Sequence, residues 1–488
     1  MPDITTLPSY PHEDDGVEAI PTHPLGVKPS GNALLASWTL RDAIGTFRVL
    51  PDELILSLLE ELDSASLLCI GRTCKAFYAF TRAEEVWKAL FIRSSVEDFT
   101  WRGTWRSTYL NLPPTKVPTI DCSHLYSDAL YRPFNCAHIS LDPYVTKIPL
   151  RNQIPRLADL SKDEFHSTWA DRPFILTDPV KEWPVYKNWT VGTLLSRYGQ
   201  GKFRAEAVDW PLRAYADYMA DNADESPLYL FDRSFVSKMG LAVGQPDQTP
   251  NAAYWPPACF VEDFFSVLGD KRPDHQWLIV GPERSGSKFH KDPNATSAWN
   301  AVLRGPKYWI MFPSGEKRDP PPGVFVSDDQ SEVTSPLSIA EWLLNFHAEA
   351  RRTPGCMEGI CGEGEILHVP SGWWHLVVNL EPSIAITQNF IPRAHLTAAL
   401  DFLSNKADQV SGFQKDVVNP YQNFVDGMQA AYPDLLERAQ HDLQKKAEGR
   451  KQKWDEIVHG KAGEAEPAVP EGGFSFGFGD DGSDVEVP

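Results

Sequence analysis

Residues 281–313 read GPERSGSKFHKDPNATSAWNAVLRGPKYWIMFP and bring two metal-ligand side chains into one short, hairpin-like segment. His290 and Asp292 are two residues apart, so on an extended strand both side chains leave the same face and can reach one metal ion. A second imidazole from another strand would complete a set of three ligands that leaves three positions open on octahedral Fe(II). Because an isolated His-x-Asp pair is more often a surface pair, its significance depends on the sequence around it.

Short strands separated by turn signals surround this stretch on both sides. They are expected in FRAEAV (203–208), PLYLFD (227–232), HQWLIVGP (275–282), EILHVPSGWWHLVVNL (365–380) and SIAITQNF (383–390). This pattern favours a barrel or jelly roll. The predicted fold is mainly β, a double-stranded β-helix of the cupin-like type over residues 154–392, with an insertion at 314–360 above one end of the barrel.

A helical region precedes the strands. The segment LPDELILSLLEELDSASLLCIGRTCKAFYAFTRAEEVWKALF (50–91) places Pro51 at a helix start, followed by leucines at helical spacing and by two further short helices. It resembles an F-box through its opening Leu-Pro-x-Glu and its closing Trp87 and Phe91. The resemblance implies a helical domain over 45–92 that docks on the small adaptor of a cullin-type ubiquitin ligase.

An alternative interpretation of this region is a helical cap that only packs on the barrel. In that case Leu50, Leu54 and Leu58 are ordinary core residues. The sequence alone leaves both interpretations open.

The remaining segments show weaker patterns. Residues 1–35 have no hydrophobic period, and the acidic, Gly-rich residues 460–488 resemble a tail, so both are expected to be disordered. Residues 93–153 contain several prolines and are expected to form an extended connector. Residues 393–458 are expected to form a helical bundle that covers the barrel or pairs with a second copy in a homodimer.

Composition limits the classes of function. The formal net charge is −20, which makes broad nucleic-acid binding unfavourable. No run of 18 apolar residues and no signal-like start are present, so we expect no membrane span and an intracellular protein of the nucleus or cytoplasm. The odd count of seven cysteines indicates reduced thiols rather than a disulfide framework.

Six motifs in order connect the opening stretch to a known family. They are GPERSG (281–286), His290-x-Asp292-Pro293, TSAWNAV (296–302), Lys307-x-Trp309 with Phe312-Pro313, VPSGWWHLVVNL (369–380) and AITQNF (385–390). Together they resemble the Jumonji-C family of 2-oxoglutarate-dependent oxygenases, most closely the branch with the nuclear lysyl hydroxylase once mistaken for a phosphatidylserine receptor. The resemblance implies Fe(II), with 2-oxoglutarate and dioxygen as co-substrates, and His375 as the second imidazole of the metal site.

The resemblance also implies a cradle for 2-oxoglutarate. Lys307 would bind its distal carboxylate, a task that suits a flexible, strongly hydrated ammonium. The alternative is a turn lysine, since Gly305 and Pro306 precede it. The other side chains that the resemblance assigns to the co-substrate pocket are Tyr229, Ser287, Asn300, Thr387 and Asn389.

The implied function is hydroxylation of protein side chains, lysyl in the first place, or demethylation of N-methyl lysine or arginine. A second hypothesis is an interaction protein, in which the F-box recruits a ubiquitin ligase and the barrel presents a client. A third is a zinc cupin isomerase, whose metal would act as a Lewis acid. Lys307, Asn300 and Thr387 argue against the isomerase, because it would not need a diacid cradle.

Overall fold

The structure is a computed structural model that describes residues 20–96, 99–113, 120–315, 318–327 and 331–459, with side chains as far as residue 449. The predicted disorder of residues 1–19 and of the 460–488 tail lies outside the described residues. All seven cysteines are free, in agreement with the prediction of reduced thiols.

In the part of the chain that the structure describes, seven α-helices precede the barrel. They are α1 (Asp52–Glu60), α2 (Ser64–Ile70), α3 (Lys75–Phe80), α4 (Glu84–Arg93), α5 (Trp105–Tyr109), α6 (Asp128–Ala137) and α7 (Asp142–Val145). In α1, Ile55 and Leu59 are buried, whereas Leu54 and Leu58 are each 51% exposed. The interpretation of Leu54 and Leu58 as ordinary core residues is therefore wrong.

Two segments expected to lack helices or order are better ordered than their sequence patterns suggest. Leu25 and Val27 are buried, and the backbone N–H of Lys28 donates to the carbonyl of Leu125 at 3.1 Å. The prediction of disorder is thus wrong for residues 20–35, because a contact with a segment distant in sequence orders them.

The prediction of an extended connector at 93–153 is also wrong in part, since this segment contains α5, α6 and α7.

The described strands are β1 (Arg156–Leu157), β2 (Phe174–Leu176), β3 (Lys202–Ala205), β4 (Val208–Pro211), β5 (Leu230–Asp232), β6 (Ala242–Val243), β7 (Ala252–Tyr254), β8 (Gln276–Gly281), β9 (Gly286–His290), β10 (Ser297–Arg304), β11 (Lys307–Phe312), β12 (Phe325–Val326), β13 (Val333–Thr334), β14 (Met357–Cys361), β15 (Glu365–Val369), β16 (Trp374–Asn379) and β17 (Ser383–Phe390). The further helices are α8 (Lys162–Glu164), α9 (Pro184–Asn188), α10 (Val191–Tyr198), α11 (Leu212–Ala220), α12 (Phe235–Met239), α13 (Ile339–Ala350), α14 (Leu396–Asn405), α15 (Pro420–Ala431) and α16 (Pro433–His459).

Two sheets build the barrel. The larger has nine strands in the order β1-β2-β15-β10-β17-β8-β5-β3-β4, and the smaller has four in the order β14-β11-β16-β9. Apolar side chains from both sheets, including Val302 of β10 and Trp309 of β11, pack into one cluster between them. The predicted cupin-like jelly roll with helices at both ends is confirmed.

The insertion ends earlier than the sequence suggested. Strand β14 pairs antiparallel with β11, with Met357 opposite Met311, so residues 357–360 belong to the barrel and not to the insertion. The insertion contains the helix α13. Arg351, which follows α13, donates to the buried carboxylate of Glu358 in β14 at 2.7 Å and ties the insertion to the smaller sheet.

The carboxy-terminal helices pack on one segment of the barrel domain. Phe265 lies in a short 3-10 segment before β8 and contacts Phe424 of α15, and both belong to a cluster with Leu400 and Leu436. Among the described residues, no helix is both long and apolar enough to cross a bilayer.

Candidate metal and co-substrate site

Three side chains from different parts of the barrel converge at one end of its interior. One ligand atom each of His290, Asp292 and His375 lies within 4.8 Å of the others. The Nε2 atom of His375 is 4.0 Å from Oδ1 of Asp292, and the two imidazole centroids are 4.1 Å apart. Strand β9 ends at His290, so Asp292 lies just past the strand rather than on it, although its backbone is still extended.

Both imidazoles are oriented by backbone carbonyls. Nδ1 of His290 is 2.8 Å from the carbonyl oxygen of Lys288, and Nδ1 of His375 is 3.1 Å from that of Trp373. Each Nδ1–H therefore donates to a carbonyl, which leaves the Nε2 lone pair for a metal ion.

The electrostatics of the cluster match a divalent cation. Burial, and then the nearby His290, lower the pKa of His375 well below its ordinary value. Burial raises the pKa of the Asp292 carboxyl, although the charge of His290 and the amide of Asn389 each lower it. The buried Oδ2 of Asp292 has no hydrogen-bond partner among the described residues. A bound cation would keep the carboxylate ionised and the imidazoles neutral. Two imidazoles and one carboxylate are a ligand set that suits Fe(II).

Lys307 lies deeper between the sheets. It is 0% exposed, and its Nζ donates to the phenolic oxygen of Tyr229 at 2.9 Å and to Oδ1 of Asn379 at 2.6 Å. Burial lowers the pKa of Lys307 to about 7. No ion pair of Lys307 occurs within the part of the chain that the structure describes. A buried ammonium without a counterion is costly, so this position fits a ligand carboxylate.

Tyr229 reaches Lys307 from the opposite sheet. It directly precedes β5 and is buried against Ile279 and Ala385. Gly281 leaves room for its ring, because a Cβ at that glycine would lie 2.6 Å from the Tyr229 ring. The structure thus places the phenol of Tyr229 beside the ammonium of Lys307.

Asn379 is a site residue that the sequence reasoning missed. Its Nδ2 donates to Oγ of Ser285 at 2.9 Å, which directs its Oδ1 toward Lys307. A signal was available, since Asn379 is four residues after His375 and side chains four apart on a strand share a face.

Asn300 and Thr387 lie opposite each other on neighbouring strands β10 and β17. Oδ1 of Asn300 is buried without a partner among the described residues. The Thr387 hydroxyl donates to the carbonyl of Trp299 at 2.8 Å, so toward a ligand it offers oxygen lone pairs rather than its proton. The amide is therefore the freer of the two predicted contacts.

Ser287 and Asn389 lie at the end of the interior that holds the metal ligands. His375 of β16 pairs with His290 of β9, and Val377 pairs with Ser287. The step from His290 to Ser287 is three residues, whereas the step from His375 to Val377 is two, so β9 contains a bulge. Because of this bulge, the side chains of Ser287 and His290 lie on the same face. Nδ2 of Asn389 donates to Oγ1 of Thr296 at 2.8 Å. The Asn389 amide also lowers the pKa of the Asp292 carboxyl, which connects Asn389 to that ligand.

His368 and Trp374 lie near the metal ligands in sequence but serve packing. His368 is buried with Nδ1 3.3 Å from the carbonyl of Ala298 and Nε2 3.1 Å from that of Ala170. Trp374 belongs to the apolar core of the smaller sheet.

Comparison with known proteins identifies related domains in both halves of the chain. A cupin-like domain family matches residues 163–395, and an F-box-like family matches residues 47–93. The chain is 36% identical over 457 residues to Arginine-specific demethylase JMJ22 of Arabidopsis thaliana. The aligned region covers 90% of this chain and 87% of that protein.

Two further relatives match shorter parts. The Bifunctional arginine demethylase and lysyl-hydroxylase psr-1 of Caenorhabditis briggsae is 33% identical over 258 residues, 50% of this chain and 62% of that protein. The 2-oxoglutarate and iron-dependent oxygenase JMJD4 of Danio rerio is 30% identical over 170 residues, 34% of this chain and 37% of that protein. The chain therefore belongs to the cupin-like Jumonji-C family of 2-oxoglutarate- and iron-dependent oxygenases and carries an F-box-like domain ahead of its barrel.

Proposed function

We propose that this protein uses Fe(II), 2-oxoglutarate and dioxygen to oxidise C–H bonds of lysine or arginine side chains in a protein substrate. One observation carries the proposal. The buried ammonium of Lys307, which has no counterion among the described residues, lies in the same interior as the cluster of His290, Asp292 and His375. A presenting module would need neither of these two features, and an isomerase would need only the metal site.

The residues divide the work between the metal and the co-substrate. His290, Asp292 and His375 would hold the iron, while Lys307 and Tyr229 would bind the distal carboxylate of 2-oxoglutarate. The remaining polar contacts would come from Asn300, Thr387 and Ser287. When bound, the iron supplies oxidation in which one oxygen atom of dioxygen enters succinate and the other enters the substrate, with release of CO2.

The same oxidation leads to two outcomes. On a side-chain carbon, the product is a stable alcohol, as in lysyl hydroxylation. On an N-methyl carbon, the hydroxylated product loses formaldehyde and the methyl group is removed. The names of the relatives include both outcomes, so both belong to the proposal.

The test is succinate formation from 2-oxoglutarate by purified protein with Fe(II) and ascorbate. We expect wild type to form succinate and the Asp292→Ala variant to form about as little as a blank. Asp178→Ala removes an exposed carboxylate of the same domain and is the matched control, expected to behave as wild type. Equal succinate from wild type and Asp292→Ala would refute the oxygenase proposal.

The F-box-like domain supports a second function, docking on the adaptor of a cullin-type ubiquitin ligase. Leu54 and Leu58 are four residues apart in α1 and form one apolar surface, and the neighbouring Val49 is 79% exposed. Exposed apolar side chains on one helix face are typical of an interaction surface.

The double variant Leu54→Glu/Leu58→Glu should abolish co-purification with the adaptor and leave the melting temperature unchanged, because both side chains are already exposed. Ile55→Ala is the matched contrast. It removes a buried side chain of the same helix and should cost about 2–4 kcal/mol of unfolding free energy. Adaptor binding by the double variant at the wild-type level would exclude this surface.

Two further predictions stand beside this proposal. We propose that the protein resides in the nucleus or cytoplasm and that its carboxy-terminal helices join two copies in a homodimer. Light scattering of the purified protein with and without residues 420–459 would measure the contribution of α15 and α16 to a homodimer.

A further inference from the structure

Two aromatic rings line the inner face of the larger sheet beside the co-substrate contacts. Phe231 of β5 and Trp277 of β8 have ring centroids 5.3 Å apart, with planes inclined at 33°. Phe231 is 39% exposed, and Trp277 is partly exposed. We call this pair the aromatic shelf.

The strand register places the shelf next to the reaction site. Asn300, Thr387 and Trp277 are consecutive cross-strand partners on β10, β17 and β8. Neighbouring strands lie about 4.8 Å apart, and Trp277 is one strand beyond Thr387. The Cα atom of Trp277 is therefore about 10 Å from that of Asn300.

Phe231 is the diagonal neighbour of Trp277 on the same face. It pairs with Ile279, which belongs with Tyr229 and Ala385 to a small apolar cluster that Trp277 covers. Since Tyr229 contacts Lys307 of the opposite sheet, this face is the one that lines the barrel interior.

The exposure of the shelf is unusual for that face. Tyr229 and Ile279 are 5% and 3% exposed, whereas Phe231, two residues beyond Tyr229 along the chain, is 39% exposed. A large aromatic residue that leaves its ring open beside a reaction site has area available for a ligand.

The charges around the shelf favour a cation. Within the described residues, no lysine or arginine lies over the ring of Phe231 or Trp277. Arg233, two residues beyond Phe231, is paired with Asp274, so its charge is compensated. The chain as a whole carries a formal charge of −20, which attracts basic segments.

From these observations we infer that the aromatic shelf binds the N-methylated cationic head of a lysine or arginine side chain and so selects methylated substrates. Methylation spreads the positive charge over apolar surface and weakens its hydration, and ring faces attract such cations. This inference rests on the proposed oxygenase function and specifies its substrate class.

The test is calorimetric binding to protein loaded with Fe(II) and 2-oxoglutarate in the absence of dioxygen. Three single-residue probes are compared, namely the N-acetyl methylamides of trimethyl-lysine, of lysine, and of the neutral isostere in which carbon replaces the quaternary nitrogen. We expect the trimethylated cation to bind about 5- to 30-fold more tightly than either of the others.

Two variants assign the preference to the rings. Trp277→Phe keeps a ring and should retain most of the preference, whereas Trp277→Leu should lose it. Phe231→Leu changes the more exposed ring and provides a second measurement if Trp277→Leu disturbs Tyr229. Affinity for 2-oxoglutarate is measured in each variant and should stay within about twofold of wild type, because the shelf lies outside the cradle.

The outcomes separate the two levels of the proposal. Equal binding of the cation and its neutral isostere, or an unchanged preference in both leucine variants, would overturn the aromatic shelf while leaving the oxygenase intact. Failure of wild type to bind 2-oxoglutarate would overturn the oxygenase and the shelf together.

Discussion

The ammonium nitrogen of Lys307 lies 2.9 Å from the phenolic oxygen of Tyr229, and both side chains are buried between the two sheets. Lys307 begins β11 of the smaller sheet, and Tyr229 precedes β5 of the larger one. The contact therefore joins the sheets at a charged group that lacks an anionic partner within the described residues. A dicarboxylate bound at the metal would supply that partner, which makes this contact the basis of the first three predictions.

Lys307→Met should weaken 2-oxoglutarate binding by about 10- to 100-fold, the value of a charge-assisted hydrogen bond. Its melting temperature should be equal to or higher than that of wild type, because the variant no longer buries an uncompensated amine. Titration calorimetry and thermal unfolding measure the two quantities. Unchanged affinity together with a lower melting temperature would show that Lys307 is only a structural residue.

The affinity for 2-oxoglutarate should depend on pH in a defined direction. Burial lowers the pKa of Lys307 from 10.5 to about 7 in the free protein, and a bound carboxylate favours the charged ammonium and raises that pKa. Binding then takes up a proton above pH 7. Affinity should be constant below about pH 6 and fall by about tenfold for each unit above pH 7.

Calorimetry of the iron-loaded protein in buffers of different ionisation enthalpy measures this proton uptake directly. Lys307→Met is the control, because it has no ammonium to protonate and its remaining affinity should lack this dependence. A wild-type affinity that is flat between pH 7 and pH 9 would contradict the assignment.

Tyr229→Phe removes one hydrogen bond, which the same ammonium donates to an uncharged phenolic oxygen. The expected loss of 2-oxoglutarate affinity is about 3- to 10-fold, smaller than that of Lys307→Met. The decline of affinity above pH 7 should remain, since Lys307 is still present. Loss of that pH dependence in Tyr229→Phe would assign the titration to the phenol instead.

Asn389→Ala should act on the metal rather than on the co-substrate. Its amide stabilises ionised Asp292, and residues that orient a ligand typically contribute 10- to 100-fold to metal affinity. Fe(II) affinity should fall by about that factor in Asn389→Ala and stay near wild type in Lys307→Met. If Fe(II) affinity fell in Lys307→Met and stayed near wild type in Asn389→Ala, the metal and co-substrate roles assigned to these two residues would be reversed.

Much of the site could be predicted from local sequence. The two-residue spacing of His290 and Asp292 indicates a shared face, and the structure brings both to one point even though the strand ends at His290. His375 is 83 residues beyond Asp292. No periodicity connects such distant residues, so its pairing with His290 came only from the family resemblance.

The parts that sequence reasoning missed depend on contacts between distant segments. Asn379 acquires its role because β16 lies beside β11, which the order of strands along the chain does not reveal. Leu25 and Val27 are buried although their segment has no hydrophobic period, because residues around Leu125 cover them. The predicted insertion extended too far toward the carboxy terminus, because β14 is short and has no alternating hydrophobic pattern of its own.

The most direct measurement of the oxygenase function follows the oxygen atoms. Purified protein with Fe(II), ascorbate and 2-oxoglutarate is incubated under ¹⁸O-labelled dioxygen, and the succinate is analysed by mass spectrometry. The proposed function predicts one labelled oxygen atom in each succinate formed by wild type, with succinate reduced to the level of a blank in Asp292→Ala. Succinate without the label, or an equal amount from the variant, would contradict it.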